Sequence, residues 1–439
     1  MSVKYISKDD NNLRGERMLN LAKYLYPFNR SLMGPDIRYS LQKFVSLNSE
    51  FNFIKFNTGE KVFDWEIPEE WVVRDAYIEH ESGKRFAEFK KCNLHLMGYS
   101  IPVNKIMPKS ELIKKISTIP ENPSAIPYIT SYYQKNWGFC LSQNQLLNLP
   151  EGNYKVVIDS EHRSGELNII ESIIPGKLKK EIFFSSYLCH PSMANNELSG
   201  PVLLNEILNY VKSLEDRKYT YRFVILPETI GSIAYLSKKY KLLKELMLCG
   251  FNLSCVGDER SYSHVKSRLG DNLADRALSS SINGLKNSTT FSYLDRGSDE
   301  RQYCAPGIDL PVCTFCRTKF GCFPEYHTSE DNFNLVTADG LKGSFIIMRN
   351  IINAFEIGLY PQINVLGEPQ LGKRGLYPNT SNCHNGINEA ATRMNVISYC
   401  DSKHSIFDIA KKINVNLSFV LKEIADLKNN CLINTKDFI

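Results

Sequence analysis

The chain has 439 residues, 43% of them apolar, and a formal net charge of +5. That length suits two or three domains, and a mild, scattered positive charge gives no electrostatic case for a nucleic-acid partner. The polar start MSVKYISKDDNN lacks a signal-peptide core and no apolar run is long enough to span a bilayer. The cysteines lack framework spacing, so a cytoplasmic chain with reduced thiols and no membrane partner is expected.

From residue 13 onward Met18, Leu21, Ala22 and Leu25 recur at helical spacing. Pro27 and Gly34-Pro35 interrupt, and a second helix runs from about 37 to 47. Between 51 and 126 the texture turns to alternating segments such as WVVRDAYIEH, which predict a β-rich unit inserted in the chain. After Pro127 apolar runs alternate with helical stretches: YKVVIDS, EIFFSSYLCH, YRFVILPE, LMLCGFNLSCVGDE and LPVCTFCRT. That alternation predicts an α/β core, residues 1–50 and 127–360, built on a mostly parallel sheet flanked by helices. A Gly/Pro-rich linker (361–387) leads to three short helices at 388–400, 405–412 and 417–429, the outline of a winged helix-turn-helix over 388–439. The third helix carries Lys422, Glu423, Asp426 and Lys428. Such a mixed set favours a protein contact, homo-oligomerisation included, over phosphate neutralisation. Cys313, Cys316 and Cys322 include one C-x-x-C pair but no matching second pair, so they read as ordinary thiols.

Four residues follow predicted strands at one edge of the sheet: His190, Glu228, Asp258 and, in a later loop, His327. Side chains at the carboxyl ends of strands line the crevice of such folds. Imidazole and carboxylate donors together suit a divalent metal with a bound water, and zinc keeps one position open for that water. Glu228 is then the candidate general base. Each alone is equally a helix cap or a satisfied polar group. Arg301, able to grip a carboxylate in two prongs, and Tyr326 are candidate substrate contacts. Tyr132, Tyr133 and Trp137 read as core or as pocket walls.

The order His190, ANNELSG (194–200), ETIGS (228–232), Asp258, GSDE (297–300) and YHTSED (326–331) resembles the co-catalytic zinc aminopeptidases. More closely, WEIPEEWVVRDAYI, IPYITSYYQKNWGFC, CHPSMANNELSG and DERQYCAPG resemble a bacterial aminopeptidase-like family of unknown function, over nearly the whole chain. The resemblance implies a zinc-aminopeptidase-like core with an inserted small domain and a C-terminal winged helix. It places a first metal ligand on His190, a bridging aspartate on Asn196, the base on Glu228, a neighbouring ligand on Thr229, a second-metal aspartate on Asp258 and a closing histidine on His327. Asn196 and Thr229 depart from that pattern, so one zinc ion rather than two is expected, with Glu197 an alternative to Asn196. The implied function is zinc-dependent hydrolysis of an amide or peptide bond in a small substrate, linked to polysaccharide biosynthesis; a non-catalytic binding or regulatory protein is the alternative.

Overall fold

The computed structural model describes residues 8–376 and 389–437. Eight strands form the main sheet: β1 (Asn52–Asn57), β2 (Glu166–Ile174), β3 (Leu178–Tyr187), β4 (Tyr219–Leu226), β5 (Met247–Leu253), β6 (Tyr262–Val265), β7 (Ser288–Phe291) and β8 (Val312–Cys316), in the order β1-β2-β4-β3-β5-β8-β6-β7. The four central strands run parallel. Strand β4 is buried along its whole length and β3 nearly so, as a sheet covered on both faces requires. Right-handed crossovers put helix Ser199–Lys212 (β3 to β4) and helix Ile230–Leu246 (β4 back to β5) on opposite faces. The loops after β3 and β5 therefore leave in opposite directions and open a crevice at the carboxyl edge.

Inside the sheet Arg222 on β4 forks onto Glu181 of β3 at 2.7 Å through both nitrogens and reaches Glu171 of β2 at 2.5 Å. Such a pair is costly to break from one side, so it ties three neighbouring strands in one register.

Two sequence assignments need moving. Asn52–Asn57, expected in the inserted unit, pairs with Glu166–Ile174 as an edge of the main sheet. Conversely, YKVVIDS lies in Asn153–Arg163, the centre of a smaller antiparallel sheet with Glu70–His80 and Val103–Pro108. Asn153–Arg163 alternates in burial and Asn52–Asn57 is mostly exposed or half-buried, and neither local pattern says which sheet the strand joins. By sheet membership the inserted unit runs from about 58 to 165.

At the C-terminus helices Glu389–Ser398, Ile406–Lys412 and Leu417–Asn429 match the three expected ones. Tyr360–Ile363, read from sequence as linker, is instead a strand paired with Ile433–Lys436; residues 377–388 of that linker lie outside the described residues. The third helix does not present the expected polar face. Glu423 is buried against Arg393 at 2.5 Å, and Lys428 donates to the Ile357 carbonyl at 2.7 Å. Asn416, its N-cap, donates to the Ser281 and Asn283 carbonyls, and Arg276 of the core pairs with Asp408 at 3.1 Å.

Helix Ser199–Lys212 comes unusually close to the sheet at Gly200, where an added Cβ would collide with Ser186 Oγ and the Leu253 carbonyl. Gly200→Ala is expected to cost about 1–3 kcal/mol, the range for overpacking a tight core, measured as a lower midpoint in urea unfolding.

Candidate active site

Strand β3 ends at Tyr187, and the chain runs through Cys189 and His190 into one π-helical turn, Ala194–Leu198, before the helix begins. Wide turns of this kind cluster at functional sites. Here the turn buries Glu197 beneath the strand end. One Glu197 oxygen accepts the Cys189 N–H, and the other meets His190 Nδ1 at 2.8 Å. Nδ1 is thereby committed, leaving Nε2 to face Glu228 Oε2 at 3.9 Å. Burial opposes charge on His190, but Glu197 more than offsets this and holds its pKa above the ordinary histidine value.

Glu228 follows β4 and owes its position to strain at the next residue. Thr229 has φ 63 and ψ −76, and the Ile230 N–H donates back to the Glu228 carbonyl at 2.8 Å. This is a γ-turn of the rare, strained hand, unusual above all for a β-branched residue. Buried Asp299 maintains it by accepting from Thr229 N at 2.8 Å and Ser232 Oγ at 2.7 Å. Desolvation raises the Glu228 pKa, against the pull of His190 and Arg301. Burial, and then the nearby Glu228, push Asp299 up to about 7.

His327 arrives on the loop after β8 with φ 57. Its ring stacks on Tyr326 at 3.9 Å and lies 5.5 Å from His190, with Tyr128 touching both imidazoles. Burial, then His190, drive its pKa down to about 3, so it is neutral across the physiological range; its buried Nε2 has no hydrogen-bond partner. Arg301 donates to Thr229 Oγ1 at 2.9 Å and to the Ser298 carbonyl at 3.0 Å, so it braces the Glu228 turn rather than pairing with Asp299 or Glu300.

Two predicted ligands go elsewhere. Asp258 accepts four hydrogen bonds, from Arg260 N, Thr318 N, Thr318 Oγ1 and Asn195 Nδ2 at 2.7–3.2 Å. It ties loops together and has no oxygen left over for an ion. Asn196 Oδ1 accepts the Tyr187 hydroxyl at 3.0 Å, and that hydroxyl also meets Ser254 Oγ at 2.7 Å. A phenol thus fills the space beside Asn196 that a bridging ion would need. Glu197, the alternative, serves His190 instead.

The residues therefore do not fit a metal pair. The donor chemistry that remains suits one ion: two imidazoles, each with an uncommitted Nε2, beside the Glu228 carboxylate. Among the described residues the groups whose donor atoms all lie within 4.8 Å of each other are Cys189–His190–Glu197 and His264–Asp275–Cys313.

A cavity of about 260 Å³ opens onto this cluster, walled by Cys189, His190, Glu228 and Thr229 from the core and by Trp65, Tyr132 and Tyr133 from the inserted unit. Trp137 is not in it; its buried ring packs under Lys105 and Lys115. Sequence reasoning missed Asp299 as the support of the turn, Tyr128 between the imidazoles, and Asp331. The Asp331 carboxylate accepts the N–H groups of Asn195 at 2.5 Å and Asn196 at 2.8 Å. Both Tyr128 and Asp331 lie inside motifs that stood out in the sequence, but their partners are far away along the chain.

A raised histidine pKa means that the stability drawn from Glu197 is fully present below about pH 6.5 and fades as the pH rises through the higher folded value. In Glu197→Gln the buried imidazole keeps its desolvation penalty, the largest influence on it, and loses the strongest of the charges that oppose it, with Glu228 remaining. Its titration midpoint, followed by NMR of the ring proton in chelator-treated protein, is expected to fall below 6.5.

Comparison with known proteins bears on the family and the fold. Residues 19–358 match the family DUF4910, described as a domain of unknown function, and residues 358–435 match a winged helix-turn-helix family. A Clostridium acetobutylicum protein named for polysaccharide biosynthesis and an aminopeptidase-like domain is 38% identical over 411 residues, covering 93% of each chain. A crystal structure from the same organism, named as a candidate peptidase, superposes with a TM-score of 0.87 at 35% identity over 97% of each chain. The zinc aminopeptidase BSAP of Bacillus subtilis shares the fold at 14% identity and a TM-score of 0.55, over 76% of this chain and 93% of that one. The chain belongs to the DUF4910 family, an aminopeptidase-like α/β core carrying a C-terminal winged helix.

Proposed function

We propose that the chain is a hydrolase of aminopeptidase type, cleaving an amide or peptide bond of a small substrate in the cavity between core and inserted unit. The observation that carries this reading is Glu228: a half-buried carboxyl of raised pKa, held on a strained turn at the wall of a cavity, opposite an oriented histidine. Strain of this sort is retained where surrounding structure enforces it, and that is characteristic of functional sites. A base with an elevated pKa is matched to proton transfer near neutrality.

In this reading Glu228 takes a proton from water and returns it to the leaving amine. His190, fixed by Glu197, orients the group that attacks, while Trp65, Tyr132 and Tyr133 wall the cavity in which the substrate sits. The cofactor we propose is one zinc ion, with His190 and His327 as its nitrogen donors; bound there it would polarise the carbonyl and acidify a water. Free buried thiols such as Cys189, Cys255 and Cys313 accord with a reducing, cytoplasmic setting. The name of the 38% identical relative supports a substrate connected with polysaccharide synthesis.

A second reading, a binding protein that kept the pocket, is favoured by the occupied oxygens of Asp258 and Asn196. Metal analysis with a turnover assay separates them. The hydrolase reading expects zinc, manganese or cobalt to support cleavage of amino-acid amides or N-acyl amines, and Glu228→Gln to lower kcat by at least about 10²-fold. A chain that binds none of these metals and shows no activity with them supports the binder.

The winged helix engages its own core through the helix that would enter a DNA groove. Duplex DNA is therefore expected to bind no tighter than the non-specific range of about 10⁻⁴–10⁻⁶ M at physiological salt. Fluorescence anisotropy checks this, and a salt-dependent nanomolar complex would contradict it.

A further inference from the structure

The inserted unit holds a second cavity, of about 640 Å³, and Tyr133 is part of the wall of both it and the smaller cavity over Glu228. Resting on the hydrolase reading above, we propose that this second cavity is a subsite for a hydroxyl-rich ring, so that the substrate class is an N-acylated amino sugar.

Tyr133 is 56% exposed and sits at φ 62, a conformation that a bulky residue adopts only under constraint. Trp65, 39% exposed, meets it edge-on with ring centroids 5.8 Å apart. Two aromatic rings therefore stand open to solvent at the junction of the cavities. Tyr99, on the wall of the larger cavity, is also strained, at φ 63.

The rest of that wall is mixed: apolar Pro68, Ile101 and Pro102 lie among the polar side chains of Glu69, Gln134, Lys135, Glu161 and His162. Glu161 gives one oxygen to Arg74 at 3.1 Å. Among the described residues Glu69 and Gln134 make no side-chain hydrogen bond within the chain. A phosphate-bearing ligand calls for clustered cations, whereas here a single lysine faces two carboxylates. Aromatic faces beside unspent donors and acceptors complement a sugar ring, which has apolar C–H faces and a rim of hydroxyls.

Tyr133 belongs to both walls, so in this proposal the ring sits against it in the larger cavity and the acyl amide reaches past it toward Glu228. The C–N bond breaks and a C–O bond forms from water. The proton that Glu228 takes from water goes to the amine, and the products are a carboxylate and a free amino sugar.

The test uses the full chain with N-acetylglucosamine and its β1,4-linked disaccharide, followed by saturation-transfer NMR with acetamide as control. Transfer to the ring protons is expected, weakened about tenfold in Glu69→Gln and in Gln134→Ala; both residues are exposed, and unchanged melting temperatures would show that the variants fold. Absence of transfer, or binding unaffected in both variants, overturns the subsite. Ring binding without amide cleavage removes the hydrolase reading and leaves the subsite standing. Cleavage of amino-acid amides without sugar binding removes the subsite alone.

Discussion

The site depends on how a buried stretch of backbone between β3 and its helix is satisfied. Ala194, Asn195 and Asn196 all turn their N–H groups toward Asp331, two of them onto its carboxylate and one onto its carbonyl. Unpaired, each buried donor would cost about 1–3 kcal/mol. Asp331 belongs to the same loop as His327, so this clamp also fixes where the second imidazole sits relative to the first. Asp258 and Asn195 add a second tie, joining the loop after β5 to the same turn. The residues that look like metal ligands in sequence thus serve in part to bind three loops together.

Strain and charge concentrate at this edge of the sheet. Thr229, Ser192, Cys255 and His327 all have positive φ, and Glu197, Glu228 and Asp299 are carboxyls taken out of water within one cluster. Such an arrangement persists only because the surrounding core over-determines it. The Arg222 triad, a few residues up the same strands, shows that the sheet also carries buried charge for purely structural ends. The difference lies in geometry: Arg222 is held by two carboxylates, whereas Glu228 lines a cavity opposite His190 Nε2, and the buried His327 Nε2 has no hydrogen-bond partner.

The winged helix packs closely against its own core. Its third helix has the length and N-cap of a recognition helix, yet its buried face includes Glu423 and its last turn is anchored on the Ile357 carbonyl. The module acts as a buttress for helix Ala338–Ile357, whose N-terminal end approaches the Gly257–Asp258 backbone beneath the site.

Much of the architecture was legible in the chain. Apolar runs of β3 and β4, helical spacing at Met18–Leu25, and the three C-terminal helices follow from local burial patterns, and His190 and Glu228 from their place after strands. What local pattern could not decide was partnership. Asn52–Asn57 and Asn153–Arg163 join different sheets because of which distant strands they pair with, Glu166–Ile174 in one case and Glu70–His80 and Val103–Pro108 in the other. Asp258 and Asn196 carry the right atoms for ligands, but Thr318, Asn195 and Tyr187, distant in sequence, claim those atoms first. The amino-acid sequence by itself determined which segments are strands and helices and which polar side chains stand at strand ends, because those follow from periodicity and chain direction. Only the tertiary structure decided which of these side chains keep a free atom, because hydrogen-bond capacity is shared out among neighbours that the chain brings together by folding.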